Sequence, residues 1–165
     1  MQERVQAVEL LAVNEDATAE LYAAFAAKFP EQRKFWLQLV GEEKLHAHWV
    51  REFIEKIQRG EADIRPDRFN PQIYQTFLDY LHQCLTEAKQ QPISFFAALS
   101  IAKDVENSMI EQVFFQVFEG DDPALKQVLR NLHNSTEVHR QHIEQMWNTA
   151  RPTPLPKKPA HSDSD

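Results

Sequence analysis

Glu43 and His46 stand three positions apart, a spacing that puts a carboxylate and an imidazole on one face of a helix. Glu15, Glu106 and His139 add two more carboxylates and a second imidazole. Each of the five falls within a run of apolar residues at helical spacing. A carboxylate or imidazole there is costly unless it is paired or bound to a cation. Oxygen and nitrogen donors of this kind suit iron, manganese or zinc, and affinity order alone does not choose among them. The placement is also repeated along the chain. Glu-Asp-Ala-Thr-Ala-Glu at 15–20 is echoed by Glu-Asn-Ser-Met-Ile-Glu at 106–111, and Pro30 precedes His46 by the same interval as Pro123 precedes His139. A doubled set points to one shared site between two helical hairpins.

The elements that must position these groups are long helices. Val5, Val8, Ala12, Glu15, Ala19, Tyr22, Ala26 and Phe29 recur at steps of three and four, the inward stripe of a helix over 3–29. Pro30 ends it, and a second helix over 31–59 carries Trp36, Leu39, Glu43, His46, Val50, Phe53 and Ile57, stopping at Gly60. Residues 61–71 are a polar loop containing Pro66 and Pro71. Asn70-Pro71 reads as a cap and first-turn proline for a crossover helix over 72–90, with Ile73, Phe77, Tyr80, Leu81 and Leu85 on one side. Pro92 is expected to open a helix over 92–119 with Phe95, Leu99, Ala102, Glu106, Met109, Val113 and Val117. Gly120-Asp121-Asp122-Pro123 supplies a capped turn into a last helix over 123–149, with Leu125, Leu129, Leu132, Thr136, His139, Ile143 and Met146. The pattern is all-α: a four-helix bundle of two antiparallel hairpins with one long crossover, spanning 1–150. In such a bundle helix middles meet at one level, so the five ligand-type side chains converge. Residues 151–165, rich in proline and charge, read as a flexible tail.

Composition narrows the classes of function. The chain has 165 residues and a formal net charge of −7, which argues against nucleic acid as a partner. One cysteine, Cys84, excludes an internal disulfide framework and a Cys-x-x-Cys metal site. There is no signal-peptide pattern and no apolar run of membrane-spanning length, so a soluble cytoplasmic protein is expected. Three glycines, and nine prolines of which four lie after residue 150, suit long helices with few tight turns.

On Glu15 with Tyr22, Glu42-Glu43-Lys44-Leu45-His46, Glu106 with Ile110-Glu111, and His139, the chain resembles the rubrerythrin-like branch of the ferritin-like superfamily over roughly residues 5–150. The resemblance implies a di-iron centre that couples Fe(II) oxidation to reduction of peroxide or oxygen. Glu15 and Glu106 would be terminal carboxylates, His46 and His139 nitrogen ligands, and Glu43 a bridging carboxylate. Tyr22 would stand just behind the ligands, and a small oligomer such as a homodimer would form. The chain departs from the family pattern at four points. Thr136 stands where a second bridging Glu belongs, with His142 one turn after His139 as the one nearby substitute. Val113 replaces the mirror of Tyr22, and Met109 an additional Glu. No cysteine-rich electron-transfer domain is present, so electrons would come from an external donor.

Taken singly, these residues have blander roles. One Glu-x-x-His is more often a solvated face, a lone core histidine is usually hydrogen-bonded, and a stripe tyrosine is usually packing. Phe114, Phe115 and Phe118 exceed what one stripe needs and suggest a subunit interface. Glu20, Glu111, His48, His82 and His133 read as surface groups. Two other functions fit the same residues: non-enzymatic iron handling, and a structural bundle that has lost a complete metal site.

Overall fold

The computed structural model describes residues 2–65, 68–111 and 116–150, with side chains from residue 5 onward except those at 110 and 111. These residues form five helices and no strand: α1 (Gln2–Lys28), a 3-10 turn (Pro30–Gln32), α2 (Arg33–Gln58), α3 (Pro71–Gln90), α4 (Phe95–Glu111) and α5 (Pro123–Ala150). None is long and apolar enough to cross a membrane.

Contacts along each pair give the directions. Asp16 meets Arg51 and Phe25 meets Trp36, so α1 and α2 run antiparallel. Ser100 meets Trp147 and Lys103 meets Glu144, so α4 and α5 do too. Tyr22 with Glu106 and Phe29 with Phe95 set α1 antiparallel to α4. The crossover helix runs beside α1 in the same direction, with Asn14 donating to the Tyr74 carbonyl at one end and Lys28 to the Gln91 carbonyl at the other. The interior is apolar, with Trp36, Tyr22, Phe25, Phe53 and Leu129 among its fully buried side chains.

The apolar stripes of α1, α2, α4 and α5 face inward: all seven expected positions of α2 are buried, as are Val8, Ala12, Ala19 and Tyr22 of α1. The crossover helix is rotated from expectation. Its buried face is Tyr74, Phe77, Leu78, Leu81, Cys84, Leu85 and Ala88, while Ile73 and Tyr80 are exposed. That face is the longer unbroken run of three- and four-residue steps, and it buries more apolar surface.

Local chemistry sets the ends. Asn70 accepts from Gln72 N–H at 3.0 Å with Pro71 in the first turn, and Asp122 accepts from Ala124 N–H at 2.7 Å. Gly60, with φ of 73°, ends α2 in the left-handed conformation that glycine adopts without penalty. Two expected boundaries move. The helix expected from residue 31 starts at Arg33, because a 3-10 turn occupies Pro30–Gln32. The helix expected over 92–119 starts at Phe95, because Ser94 is the cap, accepting from Ala97 N–H at 3.1 Å. Its described part ends at Glu111, and Gln116–Phe118 are not helical. Arg68 donates there to the Gln116 carbonyl, and Asp121 accepts from Phe118 N–H, so these backbone groups are bonded to side chains. Arg68 itself is buried, paired with Asp121 at 2.8 Å, and lies 4.7 Å over the rings of both Phe69 and Phe118. Val113, Phe114, Phe115 and the tail at 151–165 lie outside the described residues.

Candidate metal centre

The stripes carry six polar residues into the centre of the bundle. Glu15, Glu43, His46, Glu106 and Thr136 are 0% exposed and His139 1%. The other buried polar side chains have local explanations: Thr18 bonds the Asn14 carbonyl, Asn14 reaches Tyr74, and Arg68 pairs with Asp121.

Glu43 is the hub. Its Oε2 lies 3.2 Å from His46 Nδ1, and its Oε1 lies 2.8 Å from His139 Nδ1. The two imidazoles stack, with centroids 5.2 Å apart and planes 15° from parallel. Glu15 Oε2 approaches the same nitrogen of His46 at 3.4 Å, and Glu106 Oε1 that of His139 at 3.9 Å. The donors therefore fall into two sets, Glu15–His46 and Glu106–His139, joined by the two oxygens of one carboxylate. Glu43, His46 and His139 form a buried group whose ligand atoms lie within 4.8 Å of one another, close enough to hold a metal ion.

Most of these approaches are charge contacts, not aligned hydrogen bonds. Glu15 Oε1 and Oε2, Glu43 Oε1, Glu106 Oε2, His46 Nε2, Thr136 Oγ1 and both ring nitrogens of His139 have no aligned partner. Among the described residues only two other buried side-chain atoms share that condition, Asn14 Oδ1 and Trp36 Nε1. Buried polar atoms in folded proteins are nearly always satisfied. Their concentration at one point has a physical explanation if the lone pairs face a cation.

The electrostatics fit such a reservoir. Burial drives the Glu15 pKa up to about 8, with the Glu43 charge adding to it. Burial and the Glu43 charge likewise raise Glu106 to about 8. Burial also opposes the charge on Glu43, but the close approach of His139 and His46 and attraction to them outweigh it and hold its carboxyl well below the usual range. Burial disfavours charge on His46, yet Glu15 and Glu43 hold its pKa up at about 10; for His139, Glu43 and Glu106 hold it at about 9. Without a metal, protons offset the carboxylate charges of the cluster, and a cation would replace them.

Tyr22 donates to Glu106 Oε1 at 2.6 Å. Burial and the adjacent Glu106 push its pKa well above the ordinary 10.0, so the hydroxyl keeps its proton. The same Oε1 is the oxygen that approaches His139, so the Tyr22 hydroxyl fixes the carboxylate on its central side, and Oε2 is left without a partner. Two contacts had no signal in the stripe pattern. Glu42, half-buried on the neighbouring face of α2, brings Oε2 to 2.7 Å from His139 Nε2. Trp49, also off the stripe, stacks on His46 at 5.4 Å. Glu42 could have been found from its place beside Glu43, since a long side chain one position from a ligand can curl back to a facing helix.

The alternatives around Thr136 are also placed. His142 is exposed, so it does not substitute for a bridging carboxylate. Glu137 turns outward and pairs with Arg140. Met109 is fully buried as an apolar residue. Glu20, His48, His82 and His133 are exposed; the side chain of Glu111 lies outside the described set. The chain matches no family model, no curated protein and no solved structure.

Proposed function

We propose that the chain binds two divalent metal ions in the bundle centre, one held by Glu15 and His46, the other by Glu106 and His139, with Glu43 bridging. The observation that carries this reading is the position of Glu43, whose two oxygens address the same-type nitrogen, Nδ1, on two different imidazoles. A simple ion pair needs one imidazole, and a buried second one is a cost. The arrangement resembles that of ferritin-like carboxylate bundles, short of one Glu because Thr136 precedes His139, and the residue pattern is similar to that of the rubrerythrin-like members.

With iron, the function is oxidation of Fe(II) coupled to reduction of peroxide or oxygen, with electrons renewed by an external donor. Two Fe(II) ions supply the two electrons that, with two protons, convert one hydrogen peroxide to two waters. The chain contributes the rest. The apolar shell of Ala12, Ala19, Leu99, Ala102 and Leu132 excludes bulk water and strengthens every charge interaction inside. Tyr22 holds the Glu106 carboxylate in place through Oε1 and leaves Oε2 without a partner. Protons held on Glu15, Glu106, His46 and His139 leave as metal enters.

Anaerobic loading with Fe(II), followed by elemental analysis of the desalted protein, tests the site. Two irons per chain are expected, and none in Glu43→Ala. Addition of peroxide should then consume one equivalent per two irons. Metal-free wild-type protein after loading defeats the reading. Bound iron without peroxide consumption selects the non-enzymatic metal-handling alternative. Thr136, in the position that mirrors Glu43, favours the other alternative, a bundle whose Glu and His side chains merely neutralise one another.

A further inference from the structure

Thr136 is the one core polar residue that the metal reading leaves without a task. It stands one turn before His139 on the same face of α5 and mirrors Glu43 of α2 in the repeated pattern. A threonine within a helix ordinarily turns its hydroxyl back onto the carbonyl four residues earlier. Thr18, Thr76, Thr86 and Thr149 all do so, at 2.9, 2.9, 2.8 and 3.0 Å. Thr136 does not: its Oγ1 is buried at 0% exposure without a partner. It is the exception among the described helical threonines, and it stands one turn before His139, whose two ring nitrogens also lack an aligned partner.

Charge supplies the second half of the argument. Glu15, Glu43 and Glu106 are the three carboxylates placed as ligands, and two divalent ions exceed them by one positive charge; Glu42, partly exposed behind His139, answers that charge only from outside the ligand set. A buried excess charge is expensive. The position that mirrors Glu43 offers a hydroxyl donor in place of an anion, on a shorter side chain than glutamate.

Resting on the two-metal reading, we infer that Thr136 is the hydrogen-bond donor of a small-anion subsite. The ligand is a monoanion of a few atoms, of the class of hydroxide, hydroperoxide or azide, that would bind on the α5 side of the centre and receive the Thr136 O–H. The missing bridge is thus the place where an exchangeable ligand enters. Thr136 selects for small size and for an atom that accepts a hydrogen bond.

The test loads the full chain anaerobically with Co(II), which reports its ligands in the visible spectrum, and titrates azide. Wild type should show a saturable spectral change, retained within about twofold in Thr136→Ser. Thr136→Val, the same shape without the donor, should weaken azide by about tenfold or more, the effect of losing a hydrogen bond to a charged group. Thr136→Glu should abolish the azide response while keeping both metals, because the new carboxylate fills the position. Metal-free Thr136→Val should melt higher than wild type, since an unpartnered buried hydroxyl has been removed, which also shows that the variant folds. Equal azide affinity in wild type and Thr136→Val, or an unaltered response in Thr136→Glu, overturns the subsite with the metals still in place. Wild type that takes up no Co(II) overturns the two-metal reading beneath it.

Discussion

Glu15, Glu43 and His46 all come from α1 and α2, so that hairpin can assemble its half of the centre alone. The other hairpin brings Glu106 and His139, and neither stands without help. His139 is addressed through Nδ1 by Glu43 and through Nε2 by Glu42, both on α2, and Glu106 is held by Tyr22 of α1. Where the first hairpin has Glu43, the second has Thr136. Two halves with echoing sequences therefore play unequal parts: the first is self-sufficient, and the second is completed across the bundle axis. A centre built this way forms only when the hairpins dock, which ties metal affinity to tertiary packing as well as to the ligands.

The sharpest break in that comparison is Glu43→Ala, which removes the carboxylate common to both halves. Stoichiometry should fall from two metals to none. The metal-free chain should lose about 3–5 kcal/mol in denaturant unfolding, because two imidazoles are left buried without their main counter-charge. His46→Ala, by contrast, should leave one metal, on the Glu106–His139 side. One metal retained in Glu43→Ala would mean the halves are independent.

Next in size is the response of the metal-free protein to pH. Unfolded carboxyls release their protons near 4.5, whereas folded Glu15 and Glu106 keep theirs to about 8. Over that window the folded state binds more protons, so stability falls as pH rises. His46 and His139, held to about 10 and 9 against an ordinary 6.5, act with the same sign above neutrality. Glu43 acts oppositely and only on the acid side, where its early ionisation makes stability rise up to about 4.5. Metal-free protein should therefore be most stable at about pH 4.5, with a melting temperature roughly 5–10 °C lower at pH 9. Metal-loaded protein should lack the decline, because cations have replaced the protons. A flat profile without metal removes the account of a proton-filled centre.

The unequal halves also mark what could be read from the residues beforehand. Helix faces were legible wherever one stripe dominated: every expected inward position of α2 is buried, because its alternative faces are charged. The crossover helix was less so, since Ile73 and Tyr80 compete with Tyr74 and Leu78 for a stripe that only packing on α1 decides. The start of α4 was misplaced because proline is a louder signal than serine, although Ser94 makes the capping bond. The non-helical bonding at Gln116–Phe118 involves Arg68, more than forty residues away, and no local pattern carries that information. At the centre, the positions of Glu15, Glu43, His46, Glu106 and His139 follow from periodicity. Glu42 does not, because it reaches His139 from an adjacent face.

Glu42 therefore offers a test confined to the second half. Glu42→Gln keeps the size but removes the charge beside His139 Nε2. A carboxylate behind a ligating imidazole fixes its tautomer and raises its basicity, and losing one typically weakens metal binding about 10–100-fold. In a stepwise Co(II) titration the loss should fall on the weaker of two binding events, assigned to the His139 side by its absence in His139→Ala. The Glu15–His46 event should not move. A loss shared by both events would make Glu42 a general surface charge.

Tyr22→Phe should produce the smallest change and the most local one. The hydroxyl satisfies Glu106 Oε1 at 2.6 Å inside the core, and its bond favours the ionised carboxylate. Removing it leaves that oxygen buried without a donor, at a cost of about 1–2 kcal/mol. It also shifts the Glu106 pKa further up, so the second half should bind metal more weakly at neutral pH and recover as pH rises. The first half has no equivalent to lose, because Glu15 receives no tyrosine hydroxyl among the described residues. The expected signature is a pH-dependent loss in one binding event beside an unchanged other. If both events weaken in parallel, Tyr22 acts through the packing of Phe25 and Trp36 around it, and the asymmetry between the hairpins rests on Glu42 and Glu43 alone.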